Sequence, residues 1–395
     1  MHYCHYIIAQ MQQRFDYIMA GGGAAGRSLA YHMIASPLAG ARILIIDPEP
    51  KLSNDRTWCF WSPHPTPFDQ IVYRRWPTLD FVCEDFSLQL DLAPYDYRVI
   101  RGIDFYEHTT SALKAAGVEF LQARVDQIED HPDHATVTAD GTSYRANWVF
   151  DSRWDAVAYR GQDPRYHYLQ QHFLGWVIRC NSAGFDTTRA TMFDLRTAQN
   201  GIFRFVYTLP FSPSEAMVEY TIFSADLLAP PEYRAALSQY IETHLGLHDY
   251  QILEEESCII PMTDQPFARA GGKRIMRIGT RGGRVKASSG YAFLRIHNDS
   301  AAIVRSLLQS ATPFHGRRPP ARYRTFDSLL LQILYRHGEI GARVFSDLFR
   351  KNPVQRIFGF LDETGSIAEN IAVMASVPWW PFIKAWIKLR VTRRV

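Results

Sequence analysis

The chain has 395 residues, a net charge of +3, 47% hydrophobic and 21% charged residues. At about 150 residues per domain this implies two or three units around one or two cores. The profile excludes an unfolded chain, and the charge is too weak for a nucleic-acid binder. Aromatic residues reach 13%, with 24 Phe, 20 Tyr and 9 Trp, which fits either a large aromatic core or a pocket for an apolar, polyene-like ligand.

Met1 to Arg14 lacks the basic start and small-residue cleavage site of a signal peptide, and reads as an extension ahead of the first element. Tyr17-Ile18-Met19-Ala20 is a short apolar run entering Gly21-Gly22-Gly23-Ala24-Ala25-Gly26. A helix follows from Arg27 to about Ala35, and then a β-branched run, Arg42 to Ile46, ends in Asp47. This is one strand–turn–helix–strand unit of a parallel sheet. In such a unit Gly21 permits the tight turn, Gly23 lets a pyrophosphate approach the backbone, and Gly26 lets the helix pack on the strand. Ala24 and Ala25 open the helix whose free N–H groups face the anion. Asp47, about twenty residues beyond the last glycine, suits the ribose hydroxyls. Either FAD or NAD fits this turn. Its place at the N-terminus, with a second glycine-rich strand end far downstream at Gly279, Gly282 and Gly283, favours FAD.

Five scattered cysteines, Cys4, Cys59, Cys83, Cys180 and Cys258, have neither metal-ligand nor redox spacing, so a reduced, cytosol-facing protein without structural metal is expected. Asp140-Gly141 predicts a hairpin turn, and Trp148 to Asp151 another buried strand. Strand patterns at Phe173–Arg179, Ile202–Leu209 and Ala216–Phe223 predict an antiparallel sheet, with a helix over Pro231–His244. Arg274–Gly279 returns to a buried strand. From Tyr291 the pattern is mostly helical, with Ser366 and Glu369 at capping-box spacing and Pro353 in a first turn. No run of about 18 apolar residues is present, so no spanning helix is expected. Near the end, Trp379-Trp380-Pro381-Phe382-Ile383 with Trp386, Ile387 and Leu389, beside Lys384, Lys388, Arg390, Arg393 and Arg394, resembles an interfacial amphipathic helix. A core-docked terminal helix with a basic tail is the plain alternative.

Several motifs in order carry a further pattern: Ile45-Ile46-Asp47, Asn54-Asp55-Arg56-Thr57-Trp58-Cys59-Phe60-Trp61, Val149 to Arg153, Glu254-Glu255-Glu256-Ser257, Pro261-Met262-Thr263, Ile278 to Gly283, and Ser288 to Tyr291. Together they resemble the bacterial lycopene β-cyclase family from about residue 16 to 300. Gly279-Thr280 replaces the Gly-Asp of related flavin hydroxylases, and Ala287 stands where the family usually has proline. The resemblance implies an α/β (α+β) fold of the FAD-binding, two-dinucleotide-binding-domain type. Residues 15–165 would form the first part of the FAD domain, 166–267 an inserted antiparallel substrate domain, 268–310 the returning FAD segment, and 311–395 a helical region with membrane contact.

It also implies isomerisation of lycopene and related acyclic carotenoids to β-ionone rings. Reduced FAD would be a non-redox cofactor and NAD(P)H the reductant, at the cytoplasmic face of a membrane beside other carotenoid-pathway enzymes. An isoprenoid reductase or hydroxylase of the same fold, and a carotenoid carrier, are the competing readings.

Protonating an alkene needs a strong acid in a dry site. Glu254, Glu255 and Glu256 are the candidate carboxyls. In an extended strand Glu254 and Glu256 share one face and Glu255 the other. The resemblance points to Glu255. Arg56 would reach the cofactor phosphates or simply pair with Asp55, and Gly279, Thr280, Gly282 and Gly283 would face the flavin side of the cofactor. His297 reads as structural.

Overall fold

The computed structural model describes residues 13–160, 163–314, 316 and 320–393. The expectation for the first fourteen residues thus falls almost wholly outside the described residues, as does Arg394.

The dinucleotide-type unit is built on parallel pairing. Strand Gln13–Ala20 lies between Ile43–Asp47 and Thr142–Asp151, parallel to both, and Glu119–Gln122 extends the sheet beyond Ile43–Asp47. Strands Ala135–Ala139 and Val125–Asp130 continue the other side, and Ile275–Arg277 returns from far along the chain to pair parallel with Val149–Asp151. The run Ile43–Ile46 is buried on both faces, which is why it reads as continuously apolar rather than alternating. The Asp140-Gly141 turn takes positive φ at both residues, 44° and 76°, as a tight hairpin turn with matching twist requires. The first helix runs Ala24–Ile34, starting three residues ahead of expectation because glycine at its N-cap leaves the turn free to close at once.

A second seven-stranded sheet forms the other half. Its order is Tyr250–Thr263, Tyr168–Cys180, Glu215–Ser224, Phe203–Pro210, Arg189–Asp194, Thr78–Val82 and Ser87–Asp91. The first four neighbours are antiparallel. The last two strands come from within residues 15–165, so the inserted sheet is completed by a segment that sequence order assigns to the other unit. Thr78–Val82 pairs parallel with Arg189–Asp194.

One face of this sheet packs Leu237, Tyr240 and Ile241 of helix Pro230–His244 against Trp176, Ile178, Val218 and Tyr220. The opposite face carries Phe203, Phe205, Tyr207, Met217 and Phe223 and meets the C-terminal helices. Those helices span Ala321–Arg336, Gly341–Lys351, Val354–Leu361, Ile367–Ser376 and Trp379–Arg393. The capping box forms: Ser366 Oγ accepts from Glu369 N, and Glu369 Oε2 accepts from Ser366 N at 2.8 Å. Pro353 is the N-cap, one position before the first turn.

Candidate functional site

At the phosphate turn, Gly23 caps the first helix without any side-chain cap, and no acid stands in the first turn. A Cβ on Gly23 would meet nothing within 4 Å, whereas one on Gly26 would sit 2.1 Å from the Gly21 carbonyl oxygen. The turn is therefore closed against the strand at Gly26 and open outward at Gly23, with the N–H groups of Ala24, Ala25 and the helix start presented to an anion. Asp47 Oδ2 accepts from Gly22 N at 2.6 Å and Oδ1 from Glu49 N at 2.9 Å, which fixes its carboxylate at the strand end beside the turn. Gly279, at φ +59°, lies so close to the helix start that a Cβ there would be 2.7 Å from Ala25 Cβ. The returning turn Gly279–Gly282, carrying Thr280, thus seats directly on the phosphate turn, and Gly283 follows it in the left-handed region at φ +72°. Arg153 and Arg281 both pair with Asp151 and tie the two segments together. This arrangement fits a dinucleotide whose phosphates and flavin are gripped by separate stretches of chain.

Arg56 is not part of that cradle. Its guanidinium donates to Cys258 Sγ at 3.0 Å, beside the glutamate-rich strand. It also lies 3.8 Å from the Asp55 carboxylate, the plainer of the two partners expected for it.

The three glutamates divide by face as alternation requires, and this displaces the choice of Glu255. Glu255 faces the helix side of the sheet, half in solvent, where Trp176 Nε1 and Arg234 Nη2 donate to it at 2.9 and 2.6 Å. The sheet itself separates it from the aromatic face. Glu254 is on the other face but exposed, accepting from Asn54 Nδ2. Glu256 alone is buried, at 9% exposure; it accepts from Thr57 N at 3.0 Å and Thr57 Oγ1 at 2.6 Å.

Glu256 has a partner that sequence reading overlooked. Across the sheet, Glu256 pairs with Gly175, Gly175 with Glu219, and Glu219 with Tyr207. The two acids flank a glycine in one row on one face. Their Cα atoms are two strand spacings apart, roughly 10 Å, with no side chain between them. A Cβ on Gly175 would collide with Met217 Cε at 2.8 Å and touch Glu219 Cβ at 3.4 Å. Glu219 keeps some accessible area but is wrapped by protein on all sides, so that area faces internal space. Burial, reinforced by the charge of Glu256, pushes its carboxyl up to about 8. Burial also raises Glu256, but the two Thr57 hydrogen bonds oppose it, whereas Glu219 accepts only from Thr221 Oγ1. A proton shared by the pair therefore resides on Glu219. The signal in the sequence was an acid alone on the apolar side of a strand, at the same parity as Met217 and Phe223, opposite a strand-interior glycine.

Beyond Tyr207 opens an apolar cavity walled by Phe193, Phe223, Phe345, Phe349, Met374 and Phe382 among others. A smaller one lies between Cys59–Trp61 and Tyr291–Arg295, and Ser289, Tyr291 and Leu361 border both. The wall they share is anchored by buried charge. Lys286, 1% exposed, donates to Asp327 at 3.0 Å and Glu363 at 2.9 Å, and Arg295 reaches Glu363 at 3.2 Å. Removing one partner of such a group strands the others. Lys286→Met is expected to destabilise the fold by about 3–5 kcal/mol, read as a lowered denaturation midpoint.

His297 contacts His32 at 2.9 Å, and burial pushes both imidazoles down to about 4. The pair is neutral near neutral pH and packs the helices it joins. Among the described residues no cluster of His, Cys, Asp and Glu could hold a metal.

The chain is similar to several known proteins. It is 26% identical over 297 residues to the chloroplastic neoxanthin synthase of Solanum tuberosum, covering 71% of this chain and 58% of that protein. It is 27% identical over 308 residues to the chloroplastic lycopene beta cyclase of Arabidopsis thaliana, covering 72% and 58%. The chain thus spans 58% of the length of these curated relatives. In fold it is similar to a geranylgeranyl bacteriochlorophyll reductase-like protein from Thermoplasma acidophilum, at TM-score 0.61, 14% identity and coverage of 96% and 100%. A flavoprotein/dehydrogenase from Cytophaga hutchinsonii gives TM-score 0.63 at 12% identity, with coverage of 97% and 99%. The family model described as lycopene cyclase protein matches residues 16–386, and the chain belongs to that family.

Proposed function

We propose that the chain is a flavin-dependent cyclase that closes the ends of lycopene and similar acyclic carotenoids to β-ionone rings. The observation that carries this reading is the Glu219–Gly175–Glu256 row beside an aromatic cavity. Glu219, protonated at neutral pH, gives its proton to the terminal double bond, leaving a tertiary cation. An internal double bond attacks that cation and closes a six-membered ring. The ring then loses a proton to the Glu256 carboxylate, which returns it to Glu219 over the gap above Gly175. Atoms and electrons balance, and substrate and product are isomers. Trp61 and Tyr291, ring centroids 4.5 Å apart, present π faces that favour a cation.

The cradle from Gly21 to Gly26 with Asp47 and the Gly279–Gly283 turn suits FAD. When bound in its reduced form, maintained by NAD(P)H, FAD supplies negative charge beside the cation. A reductase of the same fold would use the same cradle but has no need of a protonated, buried carboxyl pair. Expression in a lycopene-accumulating bacterial host tests the choice: new pigments of unchanged mass are expected. Pigments heavier or lighter than lycopene, or none, would sink the reading.

The C-terminal helices supply the surface by which such an insoluble substrate reaches the cavity. Helix Trp379–Arg393 docks through Ala385 and Leu389, while Trp379, Trp386 and Ile387 are exposed on its outer side. Ile367 and Ile371 of the preceding helix, both more than 60% exposed, extend that apolar patch. Lys384 and Arg390 lie over Trp380 and Trp386, as basic residues at a lipid headgroup boundary would. No described helix is long and apolar enough to cross a membrane. From the exposed aromatic and basic surface of these helices we propose a peripheral membrane protein, on the cytoplasmic side, where other carotenoid-pathway enzymes would share its substrates. Trp379→Ser with Trp386→Ser is expected to shift at least about half of the protein from sedimented vesicles to the supernatant; an unchanged distribution would refute the placement.

A further inference from the structure

Three phenol hydroxyls meet at the chamber wall, and the acid–base scheme uses none of them. Tyr97, Tyr207 and Tyr291 come from strand Asp96–Arg101, strand Phe203–Pro210 and the segment after Gly290. Tyr97 Oη lies 3.1 Å from Tyr291 Oη, and Tyr207 Oη lies 3.4 Å from it. The half-buried Cys59 thiol neighbours Tyr97. Tyr207 stands opposite Glu219 on the adjacent strand, so the cluster begins beside the proton donor. Tyr207 and Tyr291 line the large cavity, and Tyr291 also borders the small one.

Filling space here needs only phenylalanine, which the neighbouring wall uses freely. Gathering three hydroxyls at the rim of an oily cavity costs desolvation that packing does not return. Ring closure gives that polarity a use. The closed ring is a tertiary cation, and any of three adjacent carbons can release the proton. The three products are rings differing only in where the double bond falls. Which proton leaves depends on how the cation is held relative to the base. A phenol suits this task while it stays protonated: its oxygen and ring face attract a cation, but it is too weak a nucleophile to trap one. Burial raises all three phenols above their usual range and keeps them in that form.

We propose that the Tyr97–Tyr291–Tyr207 hydroxyl cluster holds the ring cation in one orientation over the base and thereby fixes the position of the ring double bond. This rests on the cyclase reading, and the wild-type reaction tests that reading separately. The experiment is turnover of vesicle-borne lycopene by purified wild type, Tyr207→Phe and Tyr291→Phe, each loaded with FAD and supplied with NADH. Rates and ring isomers are read by chromatography. Expected are a kcat lowered about tenfold with little change in KM, and displaced-double-bond rings rising from trace to about a tenth of product or more. An unchanged isomer ratio in both variants overturns the proposal at any rate. If one variant does not fold, the other and Tyr97→Phe decide. A wild type that makes no rings defeats the cyclase reading instead.

Discussion

Glu219→Gln abolishes ring formation, with turnover reduced at least about a thousandfold, while the protein stays folded and becomes more stable at neutral pH. The loss follows from removing the one proton donor in a site whose reaction begins with proton transfer to a very weak base; general acids of this kind contribute about 10²–10⁴ in rate. Pigment analysis in a lycopene-accumulating host, with flavin content as the control for folding, is the measurement. Cyclic product at a tenth of the wild-type level or more would exclude Glu219 as donor. Glu255→Gln is the matched control: its partners Trp176 and Arg234 lie on the far side of the sheet, so ring formation is expected to persist.

The stability change has a definite sign. The carboxyl of Glu219 is raised from the ordinary 4.5 to about 8 by burial. Between those values the folded state binds one proton more than the unfolded chain, so stability falls as pH rises through that window. Glutamine, which never ionises, escapes this cost, and the gain at pH 8 reaches at most about 4 kcal/mol. The rate of the native protein carries the same dependence. It is full at low pH, where the donor is protonated, and falls as pH rises through about 8. A rate that climbed across pH 7–9 would contradict a protonated Glu219.

The second large effect lies at the phosphate turn. Gly26→Ala places a methyl carbon 2.1 Å from the Gly21 carbonyl oxygen, backbone against backbone, with no flexible side chain to yield. The helix must move off the strand, and the N–H groups that face the cradle move with it. Loss of flavin is expected to be nearly complete, at least about a hundredfold in affinity, seen as missing 450 nm absorbance in the purified protein. Gly23→Ala, where a Cβ meets nothing within 4 Å, leaves the apoprotein fold intact; any loss of flavin there reports the ligand's own approach to the backbone. Retention of full flavin by Gly26→Ala would mean that the cofactor is not held at this turn.

Much of the fold was legible because its signals are local. The turn from Gly21 to Gly26, the Asp140-Gly141 hairpin, the Ser366–Glu369 capping box and the long helix ending at His244 each follow from residues within one element. What was not legible depends on pairing across the chain. Thr78–Val82 joins the second sheet by pairing with a strand more than a hundred residues away, carrying its hairpin partner Ser87–Asp91 with it, which no local pattern encodes. The acid pair is the same case at the site. Three consecutive glutamates attract notice, yet two of them are exposed. Glu219 is a single acid among apolar residues, and its importance appears only when strand register sets it across Gly175 from Glu256. Alternation did settle which glutamates share a face; it could not say which face is dry.

The C-terminal helices have one further consequence. Val373, Met374, Val377 and Phe382 turn inward to the cavity, while Ile367, Ile371, Trp379 and Trp386 of the same two helices look outward. The partition between chamber and surroundings is thus a single leaf of helix, greasy on both sides. A hydrocarbon passing its edge from one oily phase to another never meets water, whereas wetting even ten carbons of a polyene would cost roughly 8 kcal/mol at about 0.8 per carbon unit. On the proposed function, departure of the finished ring would be equally cheap by the same route, and traffic through this leaf would run in both directions with nothing but concentration to drive it.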